Sequence, residues 1–324
     1  MIAPSGPAGG RRSGWRTVDG LVLLDKPAGA SSTRALQRVR RLLRAAKAGH
    51  AGTLDPMATG MLPLCFGQAT KACGQLLGSA KAYRATLRLG VATDTGDAEG
   101  QVLREAGWPE LSGQCVAGTL AALVGTSAQV PPMHSALKQG GRPLYELARR
   151  GEQVARAARS VTVYRLELRR LAAPELEFEV VCSKGTYIRV LGEEIAARLG
   201  TLGHLVALRR LWVEPFENEA MITLDAIEDW AGRQVDAQGA PPWLQPVELA
   251  FARLPRLDLE RAQVRHLCQG RVVDAPQGTP MAPRARACDS EGRFLGLVEV
   301  DAHRKVRVLR LFVPGQTARD GGTA

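Results

Sequence analysis

Asparagine is almost missing from this chain: Asn218 is the only one in 324 residues. Aromatic residues make up 5%, and arginine outnumbers lysine 36 to 7. Codon bias in a GC-rich genome produces both the asparagine scarcity and the arginine excess, so neither bears on function. The six cysteines, Cys65, Cys73, Cys115, Cys182, Cys268 and Cys288, form no C-x-x-C and share no zinc spacing with a histidine. They read as idle or buried cytosolic thiols. No apolar run is long enough for a membrane span, and MIAPSGPAGGRRSGW lacks the apolar centre of a signal peptide. The expectation is a soluble, cytoplasmic protein with no membrane association. There is no G-x-x-x-x-G-K-[ST], no G-x-G-x-x-G after a strand, and no H-E-x-x-H. The expectation is therefore no cofactor and no metal site.

The sharpest absence is local. From Lys26 to Thr93 the only carboxylate is Asp55, against eleven Lys and Arg. The whole chain carries a formal charge of +11 and a pI near 9.8, a balance that fits an anionic partner such as nucleic acid. With 45% apolar residues a sizeable core is available.

Residues 1–16 are Gly, Pro, Ser and Arg rich and read as a flexible N-terminal arm. GLVLLDK predicts a strand, and Ser31–Thr33 the start of a helix running to a stop at Gly49. That helix carries Arg34, Arg38, Arg40, Arg41, Arg44 and Lys47 with no acid to pair them, which favours a phosphate partner over a merely solvated face. LPLCFG, KAYRATLRLGV, VTVYRLELRRL and LEFEVVCSKGTYIRV read as strands; ATKACGQLLGS, LSGQCVAGTLAALVG and LGEEIAARLG read as helices. TDTGDAEG lacks the ligand spacing of a calcium loop and reads as a turn. Residues 131–159, rich in Pro, Gly and bases, read as an exposed excursion. A Pro-rich junction near 233–250 precedes a helix over DLERAQVRHLCQG and a strand meander, and residues 317–324 read as a disordered tail. No regular βαβ repeat appears, so a mixed or antiparallel sheet covered by helices fits better than a doubly wound fold.

Asp55 lies in GHAGTLDPMATGMLP. Asp before Pro is a common helix start, with Asp55 as N-cap and Pro56 at the first helical position. Against that structural role stand two features. Its neighbours Gly52, Thr53, Ala58 and Gly60 are small enough to let a ligand approach. Surrounding bases should also depress its pKa and keep it ionised, as a nucleophile requires.

GHAGTLDPMATGMLPLCFGQATK resembles the signature of the TruB family of tRNA pseudouridine-55 synthases. LLDKPAGASS, KAYR, PPMHSALKQGGRPLYELARRG, CSKGTYIR and HLVALRRL follow in family order, so the resemblance covers most of residues 18–215. Thr53 stands where Ala is frequent and His134 where Tyr is frequent. The resemblance implies an α+β pseudouridine-synthase fold, a mixed and largely antiparallel sheet with flanking helices. It also implies a catalytic domain over 17–250 and a small PUA-like β-barrel over 251–316.

Asp55 matches the family's catalytic aspartate, attacking either the sugar or the pyrimidine ring. Tyr83 matches the tyrosine that stacks on a flipped base. Tyr187 and Arg189 alternate along an expected strand, with Arg189 pairing to Asp55 and Tyr187 packing the base. Leu208 matches an apolar pocket wall, His50 the residue filling the space left by flipped bases, and Lys26 a support of the site or RNA. The implied partner is the T stem-loop of tRNA, gripped by the basic helix, the excursion and the C-terminal module. The implied enzyme is a monomer with no obligate protein partner. Two other readings are an inactive tRNA-binding relative, which would lack the nucleophile, and a glycoside hydrolase, which usually needs two carboxylates. An RNA-guided relative would carry Lys-rich extensions that this chain does not have.

Overall fold

The computed structural model describes residues 14–233, 241–279 and 281–312. Most of the expected arm and all of the expected tail lie outside these residues. Residues 15 and 16 are docked rather than free: the Arg16 N–H donates to Arg44 O (2.7 Å), and the Arg40 guanidinium sits 4.7 Å from the Trp15 ring centroid.

Strand β1 (Gly20–Lys26) leads to helix α1 (Ser32–Leu42), then β2 (Ala48–His50) and β3 (Thr59–Phe66). A 3₁₀ turn and short helix α2 (Cys73–Leu77) precede β4 (Lys81–Leu89). A small hairpin, β5 (Val91–Thr93) and β6 (Val102–Glu105), is followed by α3 (Gly113–Ala121) and β7 (Gly125–Gln129). The excursion carries β8 (Lys138–Gln139), β9 (Arg142–Pro143) and α4 (Leu144–Ala148); its Leu144 and Leu147 are buried, so it is less exposed than its composition predicts. Next come β10 (Arg159–Ala172), β11 (Glu175–Cys182), α5 (Ile188–Arg198), β12 (Gly203–Val213), β13 (Ile222–Thr223) and α6 (Leu224–Arg233). The C-terminal module holds β14 (Arg256–Leu259), α7 (Arg261–Cys268), β15 (Val273–Asp274), β16 (Ala282–Asp289), β17 (Phe294–Val300) and β18 (Lys305–Leu311).

The main sheet runs β13-β1-β3-β12-β4-β11-β10-β7, with β2 added on β3. Only β1–β13 and β3–β12 are parallel, so the sheet is mixed and largely antiparallel, as expected. Strand β1 explains the layering. Alternate side chains face opposite sides: Val22 and Leu24 enter one core with α1, α3, α5 and α6, while Leu21 and Leu23 enter a second. The C-terminal strands form an open five-stranded sheet, order β14-β16-β17-β18-β15, whose curled half-barrel form agrees with a PUA-like fold.

Three expected elements differ. Helix α1 ends at Leu42, well before Gly49, because Arg44 takes a left-handed conformation (φ 49°) and the Arg40 guanidinium binds the carbonyls of Ala45 and Ala46. The expected strand over 176–190 stops at Cys182. Gly185 (φ 79°) turns the chain, and Ile188, Leu191 and Ile195 then repeat at helical spacing as α5. In DLERAQVRHLCQG the first two residues belong to β14, not the helix.

The second core joins the module to the main sheet. Phe312 and Leu297 of the module are buried in it with Leu21, Met61, Ala72 and Phe251. Phe251, Phe294 and Phe312 form an aromatic cluster with centroid separations of 5.4–5.8 Å. The Lys71 ammonium donates to Leu311 O (2.8 Å) beside it. Phe312→Ala should therefore destabilise the whole protein, by about 3 kcal/mol for a buried ring. Urea unfolding should give one cooperative transition at a lower midpoint; two separated transitions would mean that the module folds alone.

Candidate active site

The segment carrying Asp55 is an irregular loop between β2 and β3. No helix follows Asp55, which overturns the N-cap reading; the chain makes only a turn, the Ala58 N–H donating to Asp55 O (3.1 Å). Its backbone is held on both sides of Asp55 by the β1–α1 connection. The Lys26 side chain is fully buried, and its ammonium donates to the carbonyls of Pro27, Ala30 and Pro56 at 2.8, 2.7 and 3.2 Å. The Ser32 hydroxyl donates to Leu54 O (3.0 Å) and accepts from the Leu54 N–H (2.8 Å). Residues 54 and 56 are thus fixed, and the carboxylate between them has little freedom. The LDKPAGASS motif serves this loop, a role that places Lys26 under the site and away from its cavity.

Arg189 fixes the side chain. Its Nε lies 3.0 Å from Asp55 Oδ2 and 3.5 Å from Asp97 Oδ2. Nη1 donates to Thr95 O (2.6 Å) and Nη2 to His134 O (2.7 Å). One guanidinium, 3% exposed, therefore joins the Asp55 loop, the TDTGDAEG loop and the excursion. It stands in the first turn of α5, not on a strand with Tyr187. Tyr187 is the N-cap of α5, its backbone N–H donating to Gln129 Oε1 (2.8 Å) and its carbonyl accepting from Gln129 Nε2 (3.2 Å).

A cavity of about 310 Å³ opens beside Asp55, and Tyr83, Tyr187, Arg189 and Leu208 also line it. Tyr83 of β4 is opposite Val180 and Arg210 in the sheet register. Lys26 and His50 are not in the lining. His50 lies on β2, half-buried, with Nδ1 lacking a partner; burial and the Arg210 charge lower its pKa, which favours a neutral ring. A second concavity of about 350 Å³, lined by Arg88, Gly90, Glu105 and Trp108, sits at the other end of β4 and contains none of these groups.

Burial raises the Asp55 pKa above the ordinary aspartate value, and the Asp97 charge adds to this; Arg189 and Lys26 pull the other way without prevailing. The expected depression does not occur. Of the segment's eleven bases, Lys26 is the one among the charges acting on Asp55, and the guanidinium that touches Asp55, Arg189, is shared with a second carboxylate. As a nucleophile Asp55 would have to be ionised, so activity would be present above this pKa and lost as pH falls through it. The acid limb of kcat/KM should accordingly lie above about pH 3.9, the unperturbed aspartate value. A limb at or below that value would contradict the burial argument.

Arg210, Lys81, Asp97 and Gln129 escaped the sequence reading. Arg210 is 1% exposed and donates to Met61 O (2.6 Å) and Gly52 O (3.0 Å), a third anchor for the Asp55 loop. Gly60 (φ 96°) packs on the Arg210 backbone so closely that a Cβ would collide with it. Lys81 donates to three carbonyls at the end of α2 and is pushed down to about 8 by burial. Asp97 is buried, accepting from the Thr95 hydroxyl (2.6 Å) and the Glu99 N–H (3.1 Å). It is outside the cavity lining, so the site has one carboxylate able to reach a ligand, and the two-carboxylate hydrolase reading gains nothing from it. Among the described residues no group of three His, Cys, Asp or Glu could hold a metal ion, and no helix is long and apolar enough to cross a membrane.

The mixed sheet and its covering helices belong to a pseudouridine synthase fold. The protein of the crystal structure of a Cbf5-Nop10-Gar1 complex superposes with a TM-score of 0.69 at 25% identity, over 91% of this chain and 85% of that one. Models of three consecutive domains match: TruB family pseudouridylate synthase (N terminal domain) over residues 40–188, tRNA pseudouridylate synthase B C-terminal domain over 189–252, and Pseudouridine synthase II TruB, C-terminal, over 255–312. The chain belongs to the TruB family of pseudouridine synthases. It is 48% identical to the tRNA pseudouridine synthase B of Aromatoleum aromaticum, over 94% of this chain and 96% of that protein. The same enzyme of Chromohalobacter salexigens is also 48% identical, over 93% and 96%.

Proposed function

We propose that this protein converts uridine to pseudouridine at position 55 in the T loop of tRNA, with Asp55 as nucleophile on a flipped-out base. The observation that carries this reading is the lone ionisable carboxylate at the cavity, its loop anchored at Gly52, Leu54 and Pro56 and its side chain held 3.0 Å from Arg189. Nearly full-length similarity to tRNA pseudouridine synthases supports tRNA as substrate.

The reaction is an isomerisation. The bond from C1′ to N1 breaks, the base turns, C1′ bonds to C5, and the C5 proton is lost while N1 regains one. No electrons are exchanged with a partner, so the side chains at hand suffice. Asp55 would hold the sugar or the ring while the base is detached. Both uses need a carboxylate fixed before the base arrives, and the anchored loop supplies that preorganisation. Tyr83 and Tyr187 offer aromatic surfaces to a pyrimidine out of its stack, an excursion that costs a few kcal/mol. Leu208 closes the cavity wall. His50, outside the cavity lining, would fill the gap left in the RNA loop, as the family resemblance implies. Of the bases on and after α1, Arg38 is paired to Glu228 (2.6 Å) and Arg40 is committed to backbone, while Arg34, Arg41, Arg44 and Lys47 stay exposed for phosphates.

A short RNA stem-loop with the T-loop sequence tests this reading without the rest of the tRNA. The protein should form pseudouridine in it at the same rate with and without a chelator. No product from the stem-loop, in a preparation that binds it, would refute the assignment.

A further inference from the structure

We propose that the Ser135 hydroxyl is a specificity-determining contact that hydrogen-bonds the polar edge of the flipped pyrimidine. The proposal rests on the function above and concerns how the same cavity tells a uracil from any other flat ring.

Ser135 is 5% exposed and lines the cavity with Asp55, Tyr83 and Tyr187. Its hydroxyl has no hydrogen-bond partner. The Tyr187 phenol lies near enough to feel that hydroxyl, but no acceptable hydrogen-bond geometry joins the two. A hydroxyl buried without a partner costs about 1–3 kcal/mol, and native proteins rarely leave one so. The backbone that carries this hydroxyl is fixed. The Ser135 N–H donates to Met133 O (2.9 Å), its carbonyl accepts from the Tyr145 N–H (3.1 Å), and the preceding carbonyl of His134 accepts from Arg189.

The charged side chains of the cavity are committed. Arg189 is spread over Asp55, Asp97 and two carbonyls, Arg210 over two carbonyls, and Lys81 over three. The Thr186 hydroxyl donates to Ser183 O (3.0 Å), and Tyr83 lies against the Arg210 guanidinium. Thr53 is exposed to solvent. The Ser135 hydroxyl is thus buried at this cavity, without a partner, and free to meet a ligand. A hydroxyl both donates and accepts, which suits the alternating acceptor, donor, acceptor edge of uracil. Because Ser135 belongs to the excursion, the segment that closes the cavity would also read the base.

The test is a thermodynamic cycle in the Asp55→Asn background, where substrate stays intact. Two stem-loops are titrated, one with uridine at the target position and one with a difluorobenzene ribonucleoside, which has the ring shape without the hydrogen-bonding edge. The affinity ratio of uridine to isostere should fall about tenfold on adding Ser135→Ala, as expected for one hydrogen bond. Ser135→Cys, which keeps the shape and loses the strong donor, should fall similarly. An unchanged ratio in both variants, including the case where both RNAs weaken equally, would show a structural role and overturn the proposal. Formation of pseudouridine in the uridine stem-loop by the unmutated protein tests the underlying reading separately.

Discussion

Asp55→Asn is expected to form no detectable pseudouridine while binding the RNA with nearly unchanged affinity. The amide keeps the shape of the carboxylate but cannot act as the nucleophile. A loss of at least about a thousandfold in the single-turnover rate corresponds to about 4 kcal/mol of barrier, and a surviving rate within tenfold of wild type would remove Asp55 from the chemistry. The same variant makes a second, independent claim. Burial raises the Asp55 pKa in the folded state. A raised carboxyl pKa means the ionised form weakens the fold, so stability falls as pH rises through that pKa. At neutral pH, Asp55→Asn should therefore melt no lower than wild type. A more stable but inactive variant is the signature of a site that trades stability for function.

Arg189→Lys should be nearly as damaging to turnover, by about a hundredfold or more, although it keeps the charge. An ammonium is a point donor, while the guanidinium reaches four acceptors from three segments in one plane. The lysine would leave Thr95 O and His134 O without their donor and the Asp55 and Asp97 carboxylates poorly separated. The rate loss should come with an upward shift of the acid limb of kcat/KM, because Asp55 loses much of the interaction that opposes burial. A rate loss with an unmoved pH profile would point to a misplaced excursion instead, since Arg189 also holds His134. Measuring kcat/KM from pH 4 to pH 8 on both proteins separates the two.

Much of this was legible in the residues. The lone acid in a basic segment marked Asp55, and small neighbours marked its loop as a place of close approach. An apolar run marked β1, KAYRATLRLGV marked β4, period-two alternation marked β10 and β11, and the mixed sheet followed from the missing βαβ repeat. What local patterning could not supply was the set of contacts made across the chain. Asp97 looks like any acid in a turn until the fold brings it to Arg189, 92 positions later in sequence. Arg210 looks like a surface base in LRRL, yet β12 runs through the middle of the sheet and buries it. Lys26, expected to support the RNA or the site, is buried beneath the Asp55 loop with three carbonyl partners. The strand reading of KGTYIR failed for a definable reason. Alternation over 176–182 was extended through Gly185, although Ile188, Leu191 and Ile195 already carried the helical period. The pKa of Asp55 went wrong in sign because nearby bases in sequence are not nearby charges in space.

The central claim is that this cavity isomerises one uridine of the tRNA T loop. An unmodified tRNA transcript, incubated with the protein and mapped by carbodiimide treatment and primer extension, tests it most directly. A single new stop reporting pseudouridine at position 55 is expected, absent with Asp55→Asn. Modification at another uridine, or an intact position 55 after complete binding, would contradict it.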